Sequence, residues 1–296
     1  MTTATFLLPP EAYWSTEWYE REQRELFGRT WSFVGPLDDL PAVVEVGGHA
    51  ITVRRDGDGV IADEPATADV WAGFVFVHPD AWTADPLDAW LGELPAHIGA
   101  FRPERLVEVA RRRFEVAANW KLYVENHIDV YHLWYLHEQS LAAYDHPNHR
   151  WRSCGDHWVF YEPPRPGVAD AAQFVRGFPP ISHIGRDDWG SGAHLVFPNL
   201  PFATGAGFFM TYQCIPRGPE HTTIDLRVRA EPGTDHDVDG FLAMVSTVLH
   251  AEDGAACEQI QAALRSPAFG VGPLASQHEL PITRFHESVL ARMDEP

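Results

Sequence analysis

The chain has 296 residues, 45% apolar and 12% aromatic, with a formal net charge of -20. That length suits one large domain or two modest ones, and the acidity excludes nucleic acid and anionic membrane surfaces as natural partners, since both repel it. No apolar run approaches the ~20 residues needed to cross a bilayer; the N-terminal MTTATFLLPPEAYW lacks a signal-peptide pattern, and Cys154, Cys214 and Cys257 suggest no disulfide framework, so a reduced, cytoplasmic protein is expected.

Ser15-Thr16-Glu17-Trp18 opens a polar and aromatic run to Phe27 that predicts a helix, with Ser15 or Thr16 as N-cap. From Trp31 to Val77 short β-rich segments alternate with glycines, and Asp56-Gly57-Asp58-Gly59 is a hairpin turn. A Pro- and Ala-rich passage with a short helix follows, between Pro86 and Pro95. ARRRFEVAANW predicts a strand feeding a helix that carries ENHIDVYHLWYLHE, Glu125 to Glu138. Between Trp158 and Val228, HWVFYE, AHLVFPNL, GFFMTYQCI and TTIDLRVRA read as an antiparallel sheet. A long helix runs from about Val238 to Arg265, and the tail after Ser266 is loop with room for a final helix. No internal repeat interrupts this α+β plan of strands curled around a long C-terminal helix over an interior pocket.

Asp129, His132 and His137 form a D-x2-H-x4-H array. Asp129 and His132 share a helix face, but five residues on a regular helix put His132 and His137 roughly 140° apart. They converge on one ion only if the helix ends or carries a π-type irregularity between them. On spacing alone, an aromatic core with satisfied histidines competes equally well. Downstream, Val245, Leu249, Ala256, Ile260 and Leu264 mark an apolar stripe, and Asp253 falls on it. A carboxylate on a buried face is costly unless paired or bound to a cation; a structural ion pair or a helix end with exposed acids is the competing account. Glu252 falls off the stripe and reads as solvated. Two histidines and a carboxylate make the facial ligand set of non-haem Fe(II), a set zinc also accepts, so a zinc hydrolase stays open.

These residues carry a resemblance. NWKLYVENHIDVYHLWYLH resembles the signature of the terminal (α) subunits of Rieske non-haem iron oxygenases, the ring-hydroxylating and demethylating group. WYEREQRELFGRTWSFVG is similar to that family's N-terminal helix and first strand, and HLVFPNL to a strand of its catalytic domain. EDGAACEQIQAAL and SQHELPITRFHESV resemble its third-ligand helix and closing segment. The resemblance implies a helix-grip catalytic domain over residues 101–296, preceded at 1–100 by an N-terminal helix and a remnant β scaffold. It implies Fe(II) bound by His132, His137 and Asp253. Asp129 matches the acidic residue that hydrogen-bonds a ligand histidine and bridges toward the electron donor, and Asn126 matches a pocket asparagine. It also implies a homotrimer acting on a small organic substrate with O2.

The departure is as informative. Where the family carries its C-x-H and C-x2-H cluster ligands, this chain has only DEPATADVWA, without cysteine or histidine. A Rieske centre needs two of each; the chain is read as lacking both halves of the motif, hence as having no [2Fe–2S] cluster. Electrons would then come from a separate Rieske protein, a reductase or a paralogous subunit, or from the substrate itself. The alternative is a non-catalytic small-molecule-binding or structural partner subunit. Phe197, Asn199, Phe209 and Tyr212 are candidate pocket residues. His127 is read as a packing or substrate contact, and His146, His149, His194 and His286 as surface or satisfied core groups. Arg111-Arg112-Arg113 reads as a solvated strand edge, with salt bridges to a partner subunit as the lesser option.

Overall fold

The computed structural model describes residues 5–166, 177–185, 190–275 and 278–294. Ser15 caps the first helix, Thr16–Arg21, its Oγ accepting from the Trp18 N–H at 3.3 Å. The helix widens into a π turn, Glu22–Leu26, that carries Glu22 inward. There Glu22 meets Lys121 Nζ at 2.5 Å and accepts from Trp120 Nε1 at 3.0 Å, both charged side chains fully buried.

Six short strands follow: β1 (Ser32–Pro36), β2 (Ala42–Val46), β3 (His49–Asp56), β4 (Gly59–Ala62), β5 (Thr67–Trp71) and β6 (Phe74–His78). They form two antiparallel sheets, ordered β1-β6-β5 and β2-β3-β4. The β3–β4 turn has positive φ at Gly57, the first central position, where a type II′ hairpin requires glycine. Two one-turn helices, Leu87–Leu91 and Leu94–Ile98, stand where one was expected.

The second half is built on β7 (Val107–Val116), β8 (Arg150–Cys154), β9 (His157–Glu162), β10 (Ser191–Val196), β11 (Leu200–Gly205), β12 (Phe208–Gly218) and β13 (His221–Ala230). Among the described residues these make one antiparallel sheet, ordered β7-β13-β12-β11-β10-β9-β8. Its two faces bury different things. One packs Val159, Val196, Phe202 and Phe209 against Phe33, Phe74, Phe76, Leu87 and Leu91 of the N-terminal unit. The other holds Phe160, Leu195, Met210 and Tyr212 against Trp120, Tyr123, Phe241, Val245 and Leu249 from the helices. The expected α+β architecture and long C-terminal helix are therefore present. Arg111 and Arg113 turn to a neighbouring strand of the same chain: both guanidinium groups donate to Asp225 of β13, at 2.6–2.9 Å.

The long helix is not uniform. Val238–Ser246 and Ala255–Leu264 are α-helical, but Thr247–Gly254 between them is π-helical. The wider turn shifts the phase of everything after it. Val245, Leu249 and Asp253 are buried as the stripe requires, but the face continues through Cys257, Gln261 and Leu264, leaving Ile260 46% exposed. A stripe read with a constant period therefore fails at Ile260.

Candidate metal centre

The helix Trp120–Ile128 stops one residue before Asp129. Asp129 ends it by making its own turn: its carboxylate accepts from the Tyr131 N–H at 2.7 Å and the His132 N–H at 3.0 Å. A side chain that satisfies forward N–H groups in this way competes with helix continuation. A 3-10 turn, Tyr131–Trp134, follows, and the five-residue spacing from His132 to His137 is thereby freed from helical geometry. Of the two ways the histidines could converge, the helix end operates here, and the π irregularity lies in the other helix, beneath Asp253.

His132, His137 and Asp253 each offer a donor atom, all within 4.8 Å of one another. Asp253 Oδ1 is 2.9 Å from His137 Nε2 and 3.8 Å from His132 Nε2, and the two rings meet edge-on with centroids 5.0 Å apart. His137 and Asp253 are buried, and His132 is partly exposed. Despite its closeness to His137, Asp253 Oδ1 has no well-aligned hydrogen-bond partner among the described residues. Burial pushes the Asp253 carboxyl up, but His137, the His132 charge and a contact from Asn126 outweigh it and hold the group low. Burial pulls His137 down, and the Asp253 and Glu252 carboxylates more than restore it.

His132 Nδ1 donates to the main-chain carbonyl of Asp129 at 2.6 Å, while the Asp129 carboxylate stands 3.6 Å from that nitrogen. The contact expected of the carboxylate is thus made by the backbone, and the carboxylate shapes the turn instead. Glu252 corrects its expectation as well. It is not merely solvated: Oε2 accepts from His137 Nδ1 at 2.8 Å and from Ser140 Oγ at 2.7 Å. The constant-period stripe hid it; no other signal in the sequence pointed to it.

The three groups sit in the wall of a cavity lined by Phe160, Phe208, Met210, Tyr212, Phe241 and Val248, with His127 and Glu162 among its polar contributors. Of the four proposed pocket residues only Tyr212 lines it. Phe197 is core, Asn199 ties to the Cys214 carbonyl at 2.8 Å, and Phe209 stacks on Phe202 across the sheet. His127 is a buried contact: its Nε2 meets the His194 carbonyl at 2.8 Å, and Tyr212 O–H donates to its Nδ1 at 2.6 Å. Burial pulls its pKa to about 4. His146 pairs with Glu162 and His286 with Glu125, both buried. One half of the cluster motif does occur, as Cys154-Gly155-Asp156-His157. It lies on the β8–β9 turn, where His157 bonds the Trp90 carbonyl and the Phe197 N–H, and no C-x-H accompanies it.

Residues 103–295 match the family model of the ring hydroxylating alpha subunit (catalytic domain). The chain belongs to this family. Among individual relatives it is 25% identical over 234 residues to choline monooxygenase, chloroplastic, of Atriplex hortensis, covering 75% of this chain and 49% of that protein. The Amaranthus tricolor protein of the same name is 25% identical over 228 residues, covering 73% and 48%. The chain thus spans about half the length of the curated relatives it matches. In fold it is similar to the quaternary ammonium Rieske monooxygenase CntA (TM-score 0.80, 17% identity, 99% of this chain and 96% of that one). It is also similar to naphthalene 1,2-dioxygenase from Rhodococcus sp. (TM-score 0.72, 14% identity, 98% and 95%).

Proposed function

We propose that the chain is a mononuclear non-haem iron oxygenase, oxidising a small organic molecule with O2 at Fe(II) held by His132, His137 and Asp253. One observation carries this reading: a buried Asp253 Oδ1, without a well-aligned hydrogen-bond partner among the described residues, facing two imidazole nitrogens at a largely apolar cavity wall. A structural ion pair would align an N–H on that oxygen, since buried polar atoms are rarely left unmatched. A cation between three converging donors accounts for all of them, and the set is the one that suits iron.

Bound iron would supply oxygen-activating redox chemistry. The chain's own residues do the rest. Asp129 fixes the turn that presents His132, and Asn126 steadies Asp253. Phe160, Phe208, Met210 and Phe241 exclude water from the space in which substrate would lie. The aromatic faces of Phe160, Phe208, Phe241 and Tyr212 suit an organic cation, which makes choline and the quaternary ammonium compounds named for CntA the first substrates to try.

The interval 63–72 supports a chain without its own [2Fe–2S] cluster. In this reading residues 1–100 are scaffold and 101–296 the catalytic domain of a cytoplasmic trimer. Electrons arrive from a separate Rieske protein, reductase or paralogous subunit docked beside Asp129, where Tyr131 and Tyr135 are exposed. No helix among the described residues is long and apolar enough to cross a membrane.

Anaerobic loading with Fe(II) tests the site. Near one iron per chain is expected, lost in His132→Ala and Asp253→Ala; a folded protein that takes up no iron overturns the reading in favour of a non-catalytic binding subunit. Oxygen uptake with choline or carnitine, with and without an added Rieske reductase, tests the electron route. Turnover without reductant would remove the docked donor, and zinc-dependent hydrolysis without oxygen uptake would replace the oxygenase.

A further inference from the structure

The two histidines of the centre are backed by different partners. Behind His132 the hydrogen bond goes to a neutral acceptor, the Asp129 carbonyl, at 2.6 Å, with the Asp129 carboxylate beyond hydrogen-bond reach at 3.6 Å. Behind His137 stands the Glu252 carboxylate, at 2.8 Å. An ionised carboxylate only accepts, so Nδ1 of His137 carries a proton, and Nε2 is the nitrogen left toward the centre, 2.9 Å from Asp253 Oδ1. Ser140 Oγ donates to the same Glu252 oxygen at 2.7 Å and lies 3.3 Å from His137 Nδ1, which fixes the carboxylate's orientation. The Glu252 side chain is about a quarter exposed, whereas His137 is buried, so the carboxylate closes the outer side of the ring. Glu252 and Asp253 are consecutive in the π-helical segment, and between them they bracket one imidazole, front and rear.

We propose that Glu252 is a positioning residue of the metal centre, oriented by Ser140, which fixes the His137 tautomer and makes His137 the more electron-rich of the two nitrogen ligands. This rests on the metal-centre reading above. A charge-assisted hydrogen bond is roughly twice as strong as a neutral one, and partners behind metal-bound histidines typically carry about 10- to 100-fold in affinity. The pairing of a carboxylate-backed histidine with a carbonyl-backed one gives the centre a built-in asymmetry.

The test uses the full chain and the metal alone. Fe(II) and Co(II) affinities are measured anaerobically against a chromophoric chelator for wild type, Glu252→Gln, Ser140→Ala and Glu252→Asp. Glu252→Gln keeps an oxygen acceptor in place and removes only the charge, so it should weaken binding about 10- to 100-fold. It should also raise the Fe(III)/Fe(II) potential, a readout that lost packing alone would not move. Ser140→Ala should weaken binding less, and Glu252→Asp should recover part of the loss. Wild-type binding with unchanged affinity and potential in Glu252→Gln overturns the positioning role and leaves the metal site standing. If wild type itself binds neither metal, the metal-centre reading fails with it.

Discussion

Along β12, Phe208, Met210 and Tyr212 line the cavity, whereas Phe209 stacks on Phe202 and lies against Phe74 on the opposite face. Alternation in a strand forces this division, because successive side chains point to opposite sides. Phe209 and Tyr212, three apart, could never have shared a face, so the period alone would have separated them. Truncating these neighbours should therefore have different effects. Phe209→Ala opens the core and should cost about 3–5 kcal/mol in urea unfolding. Phe208→Ala, at a partly exposed cavity wall, should cost clearly less and change instead which ligands bind, as read by calorimetry with choline and bulkier ammonium compounds. Tyr212 bears on His127 as well. The His194 carbonyl must receive the Nε2–H, so Nδ1 is an acceptor that, among the described residues, the Tyr212 hydroxyl supplies. Tyr212→Phe should leave it unmatched, at about 1–3 kcal/mol by the same measurement.

Two elements carry buried charge on a widened turn. The N-terminal helix carries Glu22 through a π turn to Lys121 at the start of the Trp120–Ile128 helix, where burial pushes the carboxyl up and the ammonium down against their mutual attraction. Removing one partner strands the other in an apolar setting. Lys121→Met should thus cost about 3–5 kcal/mol, and adding Glu22→Leu should restore much of it; a double variant no more stable than the single one would show that the pair is not the reason. In the second element, the π-helical segment 247–254 sets the phase on which Asp253 depends. Tyr123 O–H holds it to the neighbouring helix through the Leu249 carbonyl at 2.6 Å.

At the scale of the molecule, the sheet separates two histidines from water. Burial lowers His157 to about 4 and His194 to about 3. Both lie below the ordinary unfolded value of ~6.5, so their contribution to stability is complete above pH ~6.5 and is lost as pH falls toward the folded values. Between pH 6.5 and 5 each should cost about 2 kcal/mol. The urea midpoint should drop over that window, and His157→Leu should flatten part of the decline. His157 also joins the two halves, its Nε2 donating to the Trp90 carbonyl beside the N-terminal unit while its Nδ1 accepts from Phe197.

Taken by itself, the sequence determined the kinds of element and the candidate ligand residues. Alternating strands, the Asp56–Gly59 turn, the Ser15 cap and a buried-phase aspartate are local signals, written in periods and residue chemistry that survive without tertiary contacts. Tertiary structure decided what those periods could not express. The helix ends at Ile128 because the Asp129 carboxylate takes the N–H groups of the next turn. A π segment offsets the downstream face by a residue, burying Cys257 and Gln261 and exposing Ile260. Both events arise where a polar side chain or a widened turn replaces the regular hydrogen-bond ladder, and a constant period cannot encode them. Together they bring His132, His137 and Asp253 within reach of one another, and turn Glu252 from solvent to the back of His137.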